Sequence, residues 1–272
     1  MQLLECKKIK EIELSNLKKL IPNKNIKLVI IQIGDYPENK IYLNSKKKLA
    51  TLLNVEIIEY KYEESTSKEE IISKIKECNN NKQVTAIMIQ KPILKKFDYQ
   101  ELVDYIDPVK DVDGTTTYNQ ENITIIPPTV RAILLLLTKY NIDLINKQIT
   151  IIGKSNLVGL PLYKLLKAKY NVILCDSKTS NIKDIIKSSD IVISAIGKAN
   201  YFTKDYFKDN QIVIDVGTNY LNGKLVGDVD INNIDSNILV TPVPGGIGLL
   251  THICLFLNLL DMSDKIWNML II

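Results

Sequence analysis

The stretch Y-L-N-S-K-K-K, Tyr42–Lys48, sets an aromatic ring and an amine four residues apart, with two more lysines directly behind. On a wheel of roughly 100° per residue, with Ile41 at zero, Ser45, Leu49, Leu52 and Leu53 share a buried face. Lys47 then points to water and Lys48 lies at one margin, whereas Tyr42 and Lys46 run together along the other margin as an i,i+4 pair. A lysine run is ordinarily a solvated helix face; only the Tyr42–Lys46 edge joins an aromatic platform to an amine. Gln90 closes the apolar run A-I-M-I-Q, and K-D-V-D-G, Lys110–Gly114, places two carboxylates in a turn. Taken singly, that glutamine reads as a partner for backbone groups and those aspartates as capping or solvated groups. A third candidate is I-T-I-I-G-K-S-N-L-V-G-L-P, Ile149–Pro161, which reads as strand, glycine turn and helix. Gly153 supplies the tight turn, Gly159 the close approach, and the helix start offers free N–H groups to a pyrophosphate. It departs from G-x-G-x-x-G, because Ser155 holds the middle glycine's place and the last glycine comes one residue late; alone it fits an ordinary βα turn nearly as well.

These groups need elements to hold them. Short β-branched runs alternate with helical patterns, which predicts α/β architecture with parallel sheets. Strands are expected at Lys27–Ile33, Val55–Tyr60 and Val84–Gln90, with helices at Cys6–Leu20, Asn39–Leu53 and Lys68–Cys78. A second set of strands is expected at Gln148–Ile152, Val172–Cys175, Ile191–Ala195, Gln211–Val216 and Ile238–Thr241, with a helix at Val158–Tyr170. The Pro, Gly and Asp residues of Asp107–Asn119 must turn the chain out of the first sheet. Thr129–Tyr140 reads as a buried helix, and Leu249–Met262 as an amphipathic one. The resulting expectation is two α/β domains, the second Rossmann-like, with a ligand cleft between them. Residues 1–120, completed by a C-terminal helix over 249–272, form the first, and 121–248 the second.

Composition narrows the classes. A chain of 272 residues with net charge +4 is too weakly basic to argue for nucleic acid or a membrane surface. Cys6, Cys78, Cys175 and Cys254 are scattered and accompanied by one histidine, His252, so neither a metal site nor a disulfide framework is expected. No apolar run is long enough for a membrane span and no leader pattern opens the chain, which predicts a cytoplasmic location.

Several motifs together resemble one family. G-x-S-x-x-V-G-x-P (Gly153, Ser155, Val158, Gly159, Pro161) is followed by A-I-G-K-A (Ala195–Ala199), V-I-D-V-G-T-N (Val213–Asn219), V-G-D-V-D (Val226–Asp230) and T-P-V-P-G-G-I-G (Thr241–Gly248). Upstream stand Y-L-N-S-K (Tyr42–Lys46), I-Q-K-P (Ile89–Pro92) and K-D-V-D-G. In this order, over nearly the whole chain, they resemble the methylenetetrahydrofolate dehydrogenase/cyclohydrolase family. Lys91 departs from the apolar residue usual at its place, Leu249 replaces a proline, and Val130 and Ala132 alter a helix-opening motif.

The resemblance implies oxidation of 5,10-methylenetetrahydrofolate to the methenyl cation by a nicotinamide cofactor, then hydrolysis to 10-formyltetrahydrofolate. It selects Lys46 as the catalytic amine, oriented by Gln90, with Tyr42 stacking on folate and Asp113 accepting from the pterin; Asp111 is expected to be a turn residue. Gly153, Lys154, Ser155, Val158, Gly159, Ser177, Lys178, Gly217 and Thr218 are the implied cofactor contacts, and Pro244, Gly245 and Gly246 pass close to substrate. Asp176, where the family usually has histidine, favours the ribose of NAD, whereas Lys154, Ser177 and Lys178 favour a 2′-phosphate, so NADP is expected. The resemblance also implies a homodimer. The alternatives are a dehydrogenase without the hydrolytic step, a regulatory nucleotide-binding module without turnover, and an unrelated two-domain dehydrogenase of amino or hydroxy acids.

Overall fold

The computed structural model describes residues 1–22, 24–234 and 237–264. The chain runs β1 (Gln2–Leu3), α1 (Lys7–Leu20), β2 (Lys27–Ile33), α2 (Pro37–Leu53), β3 (Glu56–Tyr62), α3 (Lys68–Asn80) and β4 (Ala86–Gln90). Two short helices, α4 (Tyr99–Val103) and α5 (Thr117–Asn122), precede α6 (Pro128–Lys139). Then come β5 (Gln148–Ile152), α7 (Gly159–Lys167), β6 (Asn171–Cys175), α8 (Ile182–Ser188), β7 (Ile191–Ser194) and β8 (Ile212–Asp215). The hairpin β9 (Asn219–Leu221) and β10 (Lys224–Val226), strand β11 (Leu239–Val240) and helix α9 (Ile247–Ser263) complete the described elements.

Two compact units result: Glu13–Pro128 with the chain from Cys254 onward, and Met1–Ile12 with Thr129–Ile253. The first holds a parallel sheet ordered β3-β2-β4, and the second a parallel sheet ordered β1-β11-β8-β7-β5-β6. Runs such as L-V-I-I in β2 are buried on both faces, as a parallel sheet covered by helices requires. In the first unit Val29, Ile31, Ile33, Ile87 and Ile89 pack with Ile71 and Ile75 of α3 and Leu102 and Val103 of α4. In the second, Ile152, Val192, Val213 and Val240 pack with Ile186, Phe202 and Phe207.

Three expectations are corrected here. Residues 1–12 group with the second unit, not the first, because Gln2 and Leu3 pair in parallel with Leu239 and Val240. A two-residue edge strand carries too little periodicity to be seen in a sequence. Helix α9 is not amphipathic: Leu250, Ile253, Cys254, Leu255, Phe256, Leu259, Leu260 and Met262 are all buried, so no broad face is left for water. Its expected extension over 265–272 lies outside the described residues.

The third correction concerns α2. Its buried face carries Asn39, Leu43, Lys46, Ala50 and Leu53, while Ile41 is 57% and Leu52 50% exposed. A wheel anchored on Ile41 is therefore out of phase, and Lys46 sits in the buried face itself. Pro37 opens the helix, and Asn54, in the left-handed region at φ 56°, closes it with its N–H on the Ala50 and Thr51 carbonyls.

Candidate active site

The C-terminal end of β4 is where the first unit gathers its polar groups. Lys46, only 8% exposed, donates from Nζ to Gln90 Oε1 at 2.5 Å. The Gln90 Nε2 group donates to the Lys91 carbonyl at 2.9 Å, which fixes the amide so that its oxygen faces the amine. Burial lowers the Lys46 pKa from the ordinary lysine range, and the charge of Asp113 opposes that shift. A neutral amide partner leaves the lysine free to lose its proton, where a carboxylate would hold it as ammonium.

Asp113 reaches this place because the K-D-V-D-G segment runs beside β4. Asp111 bridges Ile87 in parallel, and Ile87 N–H donates to the Lys110 carbonyl at 2.7 Å. Lys110 anchors the segment from below, its ammonium capping the end of α3 on the carbonyls of Cys78, Asn79 and Asn81 at 3.1, 2.7 and 2.8 Å. Asp111 is the turn residue expected, its carbonyl accepting from Gly114 N–H at 3.2 Å, and its side chain is in addition a buried anchor. It is fully buried and accepts from Thr116 N–H at 2.8 Å, Asn119 Nδ2 at 2.8 Å and Thr115 Oγ1 at 3.3 Å. Asp113, half-buried, has no hydrogen-bond donor on its carboxylate among the described residues. Burial pushes its pKa up to about 6; Lys46 opposes this, Asp111 adds to it, and Lys91 opposes it.

Tyr42 lies one turn before Lys46 and is 39% exposed, so its ring is accessible for stacking. Lys47 is not simply solvated: with Lys61 it pairs with Glu59, which also accepts from Gln32 Nε2 at 2.5 Å. Lys48 is exposed.

The second unit builds a cradle at the C-terminal ends of β5 and β6. Gly153 has φ +107°, and a Cβ there would lie 2.3 Å from the Ala195 carbonyl oxygen. A Cβ on Gly159 would lie 1.6 Å from the Gly153 carbonyl oxygen, so only glycine lets α7 start this close to the turn. Ser155 uses its hydroxyl to accept from Val158 N–H at 3.2 Å, and Lys154 and Ser155 remain exposed. After β6, Asp176 Oδ1 accepts from Lys178 N–H at 2.9 Å and Thr179 Oγ1 at 3.4 Å. The Lys178 N–H bond above all holds the Asp176 pKa below the usual carboxylate range, and the charges of Lys154 and Lys178 add to the effect. Ser177 and Lys178 are exposed beside it. The glycine cradle and two cations flanking one tethered carboxylate fit a phosphorylated dinucleotide.

Two buried carboxylates behind this cradle went without a role in the sequence reading. Asp228 accepts from Ser194 Oγ and Ile196 N–H on one oxygen, both at 2.8 Å, and from Lys198 N–H at 2.9 Å and Asn219 Nδ2 at 3.2 Å on the other. Asp215 accepts from Gly217, Asp228 and Val229 N–H groups at 2.9, 3.0 and 2.8 Å. Burial pushes the Asp215 pKa up to about 7 against those N–H bonds, with the charge of Asp228 adding to the rise. The pair ties together the loops after β7 and β8, and so places Gly217, whose Cβ would lie 2.2 Å from Asp228 Oδ1, and the exposed Thr218. An acid in each of two adjacent glycine motifs, D-V-G and G-D-V, was the signal available. Pro244, Gly245 and Gly246 form the turn into α9, with Gly245 at φ +113° and its carbonyl accepting from Cys6 N–H at 3.0 Å.

Parallel α/β folding, a glycine cradle under a helix start, and a separate buried amine make this a nucleotide-binding protein with an acid–base centre. The catalytic-domain model for tetrahydrofolate dehydrogenase/cyclohydrolase matches residues 4–113, and the model for the NAD(P)-binding domain of the same proteins matches residues 127–266. The chain belongs to the tetrahydrofolate dehydrogenase/cyclohydrolase family. It is 39% identical over 262 residues to the bifunctional protein FolD of Lactobacillus gasseri, covering 92% of this chain and 93% of the relative. The crystal structure of bifunctional FolD from Campylobacter jejuni is 31% identical and superposes with a TM-score of 0.93, over 97% of this chain and 99% of that one. The Trypanosoma brucei methylenetetrahydrofolate dehydrogenase-cyclohydrolase, solved with NADP cofactor and an inhibitor, is 25% identical with a TM-score of 0.90, over 97% of each chain.

Proposed function

We propose that the chain oxidises 5,10-methylenetetrahydrofolate with NADP and hydrolyses the methenyl product to 10-formyltetrahydrofolate. The observation that carries this reading is the buried Lys46 amine, hydrogen-bonded to a neutral amide and flanked by a carboxylate that has no donor of its own. The nicotinamide cofactor, when bound, accepts the hydride that leaves the one-carbon bridge. That transfer needs alignment more than acid–base help.

Hydrolysis needs the protein's own groups. Water adds to the cationic bridge carbon, a new C–O bond forms, and the neutral Lys46 amine takes the water's proton. The resulting ammonium is stabilised by the Gln90 oxygen and the Asp113 charge. It returns that proton to the ring nitrogen as the C–N bond there breaks, while the hydroxyl of the adduct releases its own proton to solvent and becomes the formyl carbonyl, so one proton is set free per turnover. Asp113, ionised, accepts from the donor edge of the pterin, and Tyr42 offers its ring to the flat substrate. Family membership further supports a cytoplasmic homodimer; no helix among the described residues is long and apolar enough to cross a membrane.

The cofactor preference tests the nucleotide half of this reading. With Asp176 tethered to its own loop and Lys154 and Lys178 beside it, kcat/KM with NADP should exceed that with NAD by about tenfold or more. Lys154→Ala should cut the NADP value by roughly tenfold and leave NAD turnover within about twofold, as expected for a lost phosphate contact. A clear preference for NAD in the parent protein would overturn the assignment.

A further inference from the structure

The run Ile253–Leu260 in α9 is apolar except for Asn258, which is only 2% exposed. An amide so placed costs stability unless its groups are hydrogen-bonded. Its Nδ2 group donates to the Val112 carbonyl and to the Ile126 carbonyl, each at 2.9 Å. Val112 and Ile126 are themselves buried, so water has no access to take the amide's place.

What this amide grips is the backbone around Asp113. Val112 precedes Asp113 directly, and the peptide plane that carries its carbonyl sets the direction in which the next residue leaves the chain. Behind Asp113, Gly114 turns at φ +65°, and a Cβ there would lie 2.4 Å from the Ile125 carbonyl oxygen. Ile125 is the chain neighbour of Ile126, so Asn258 holds both sides of this close approach. The Asp113 carboxylate has no hydrogen-bond donor among the described residues, and its place is therefore set through the backbone. Asp111 secures one end of the turn on Thr115, Thr116 and Asn119. Asn258 secures the peptide next to the carboxylate itself.

We propose that Asn258 is a positioning residue for folate binding: by clamping the Val112 and Ile126 carbonyls it holds the Asp113 carboxylate where the donor edge of the substrate meets it. This rests on the functional reading above and deepens it. The reacting amine is held elsewhere, by α2 and by Gln90 at the end of β4, so binding and chemistry should separate.

Asn258→Leu removes the donors at nearly constant volume. The KM for methylenetetrahydrofolate should rise about tenfold, the lower end of what a hydrogen bond to a charged group contributes, while kcat for methenyl hydrolysis and NADP affinity stay within about twofold. Leu259→Ala, which opens a cavity in the same helix, should also lower Tm but leave KM within about twofold. The deciding comparison is made in the background of Asp113→Asn, which itself weakens folate binding. There Asn258→Leu should change KM by less than about twofold, because the group it positions is already gone. A residue that merely stabilised the fold would add the same factor in both backgrounds. Asn258→Ser keeps a donor for one of the two carbonyls and should show the same pattern at about threefold; it takes over the test if the leucine variant does not fold. An unchanged KM, a fall in kcat as large as the rise in KM, or an equal factor with and without Asp113 overturns the proposal. Parental folate affinity in Asp113→Asn alone overturns the reading of that carboxylate as the folate acceptor, and the proposal with it.

Discussion

Lys46→Met cuts the rate of 5,10-methenyltetrahydrofolate hydrolysis by roughly 10²–10⁴-fold, while binding of NADP is unchanged. The size follows from what is removed: general acid–base groups contribute roughly 10²–10⁴-fold, and Lys46 is the buried amine held by Gln90 at 2.5 Å. Methionine keeps the length and apolar character of the stem, so α2 should retain its packing through Leu43, Ala50 and Leu53. The Gln90 oxygen loses a donor, which costs stability on the order of 1–3 kcal/mol and is readable as a lowered Tm. Lys47→Met is the control. Lys47 pairs with Glu59 at the surface, where such pairs are worth about 1 kcal/mol or less, so turnover should stay within about twofold. Equal losses in the two variants would mean that the amine of Lys46 does no chemistry.

The second large effect belongs to the nucleotide turn. In Gly159→Ala the new methyl group would meet the Gly153 carbonyl oxygen at 1.6 Å and the carbonyl carbon at 2.8 Å. Both are backbone atoms, so no side chain can rotate away; the turn must open or the start of α7 must shift by an ångström or more. Misplacement on that scale costs about 10²-fold, and NADP affinity measured by calorimetry should fall by at least that factor. Hydrolysis of supplied methenyl substrate should persist, because Lys46, Gln90 and Asp113 belong to the other unit. Gly248→Ala, where an added Cβ meets nothing within 4 Å, should bind NADP normally. Unimpaired NADP binding by Gly159→Ala would remove the cradle from the cofactor site.

The regular parts of the fold were legible because parallel strands announce themselves as short apolar runs. Lys27–Ile33 and Gln148–Ile152 match the observed strands end to end. The nucleotide turn was also legible, since Gly153 and Gly159 are demanded by backbone geometry that no other residue meets. What could not be read was phase and partnership. The α2 wheel failed because two large apolar residues, Ile41 and Leu52, lie at the surface while an amine and an amide, Lys46 and Asn39, lie inside. Asp111 and Asp113 are two residues apart in one turn, and nothing local says that Thr115, Thr116 and Asn119 will fold back to satisfy only the first. The hairpin was missed for a different reason. Its Asn222–Gly223 turn, at φ 50° and 74°, carries the expected hairpin signal, but strands of three residues are too short for alternation to show. Asp215 and Asp228 lie 13 residues apart and meet because the β9–β10 hairpin between them turns the chain back.

The central claim is that one chain makes the methenyl cation with a nicotinamide cofactor and then destroys it with Lys46. Following the absorbance of the methenyl species in the parent protein tests both halves at once. Given methylenetetrahydrofolate and NADP, the signal should rise and then decay faster than it does in buffer; without cofactor it should never appear. Methenyl substrate supplied directly should decay at the same enhanced rate with or without NADP. A signal that never forms with either NADP or NAD contradicts the dehydrogenase, and one that forms and then persists as it does in buffer contradicts the role of Lys46.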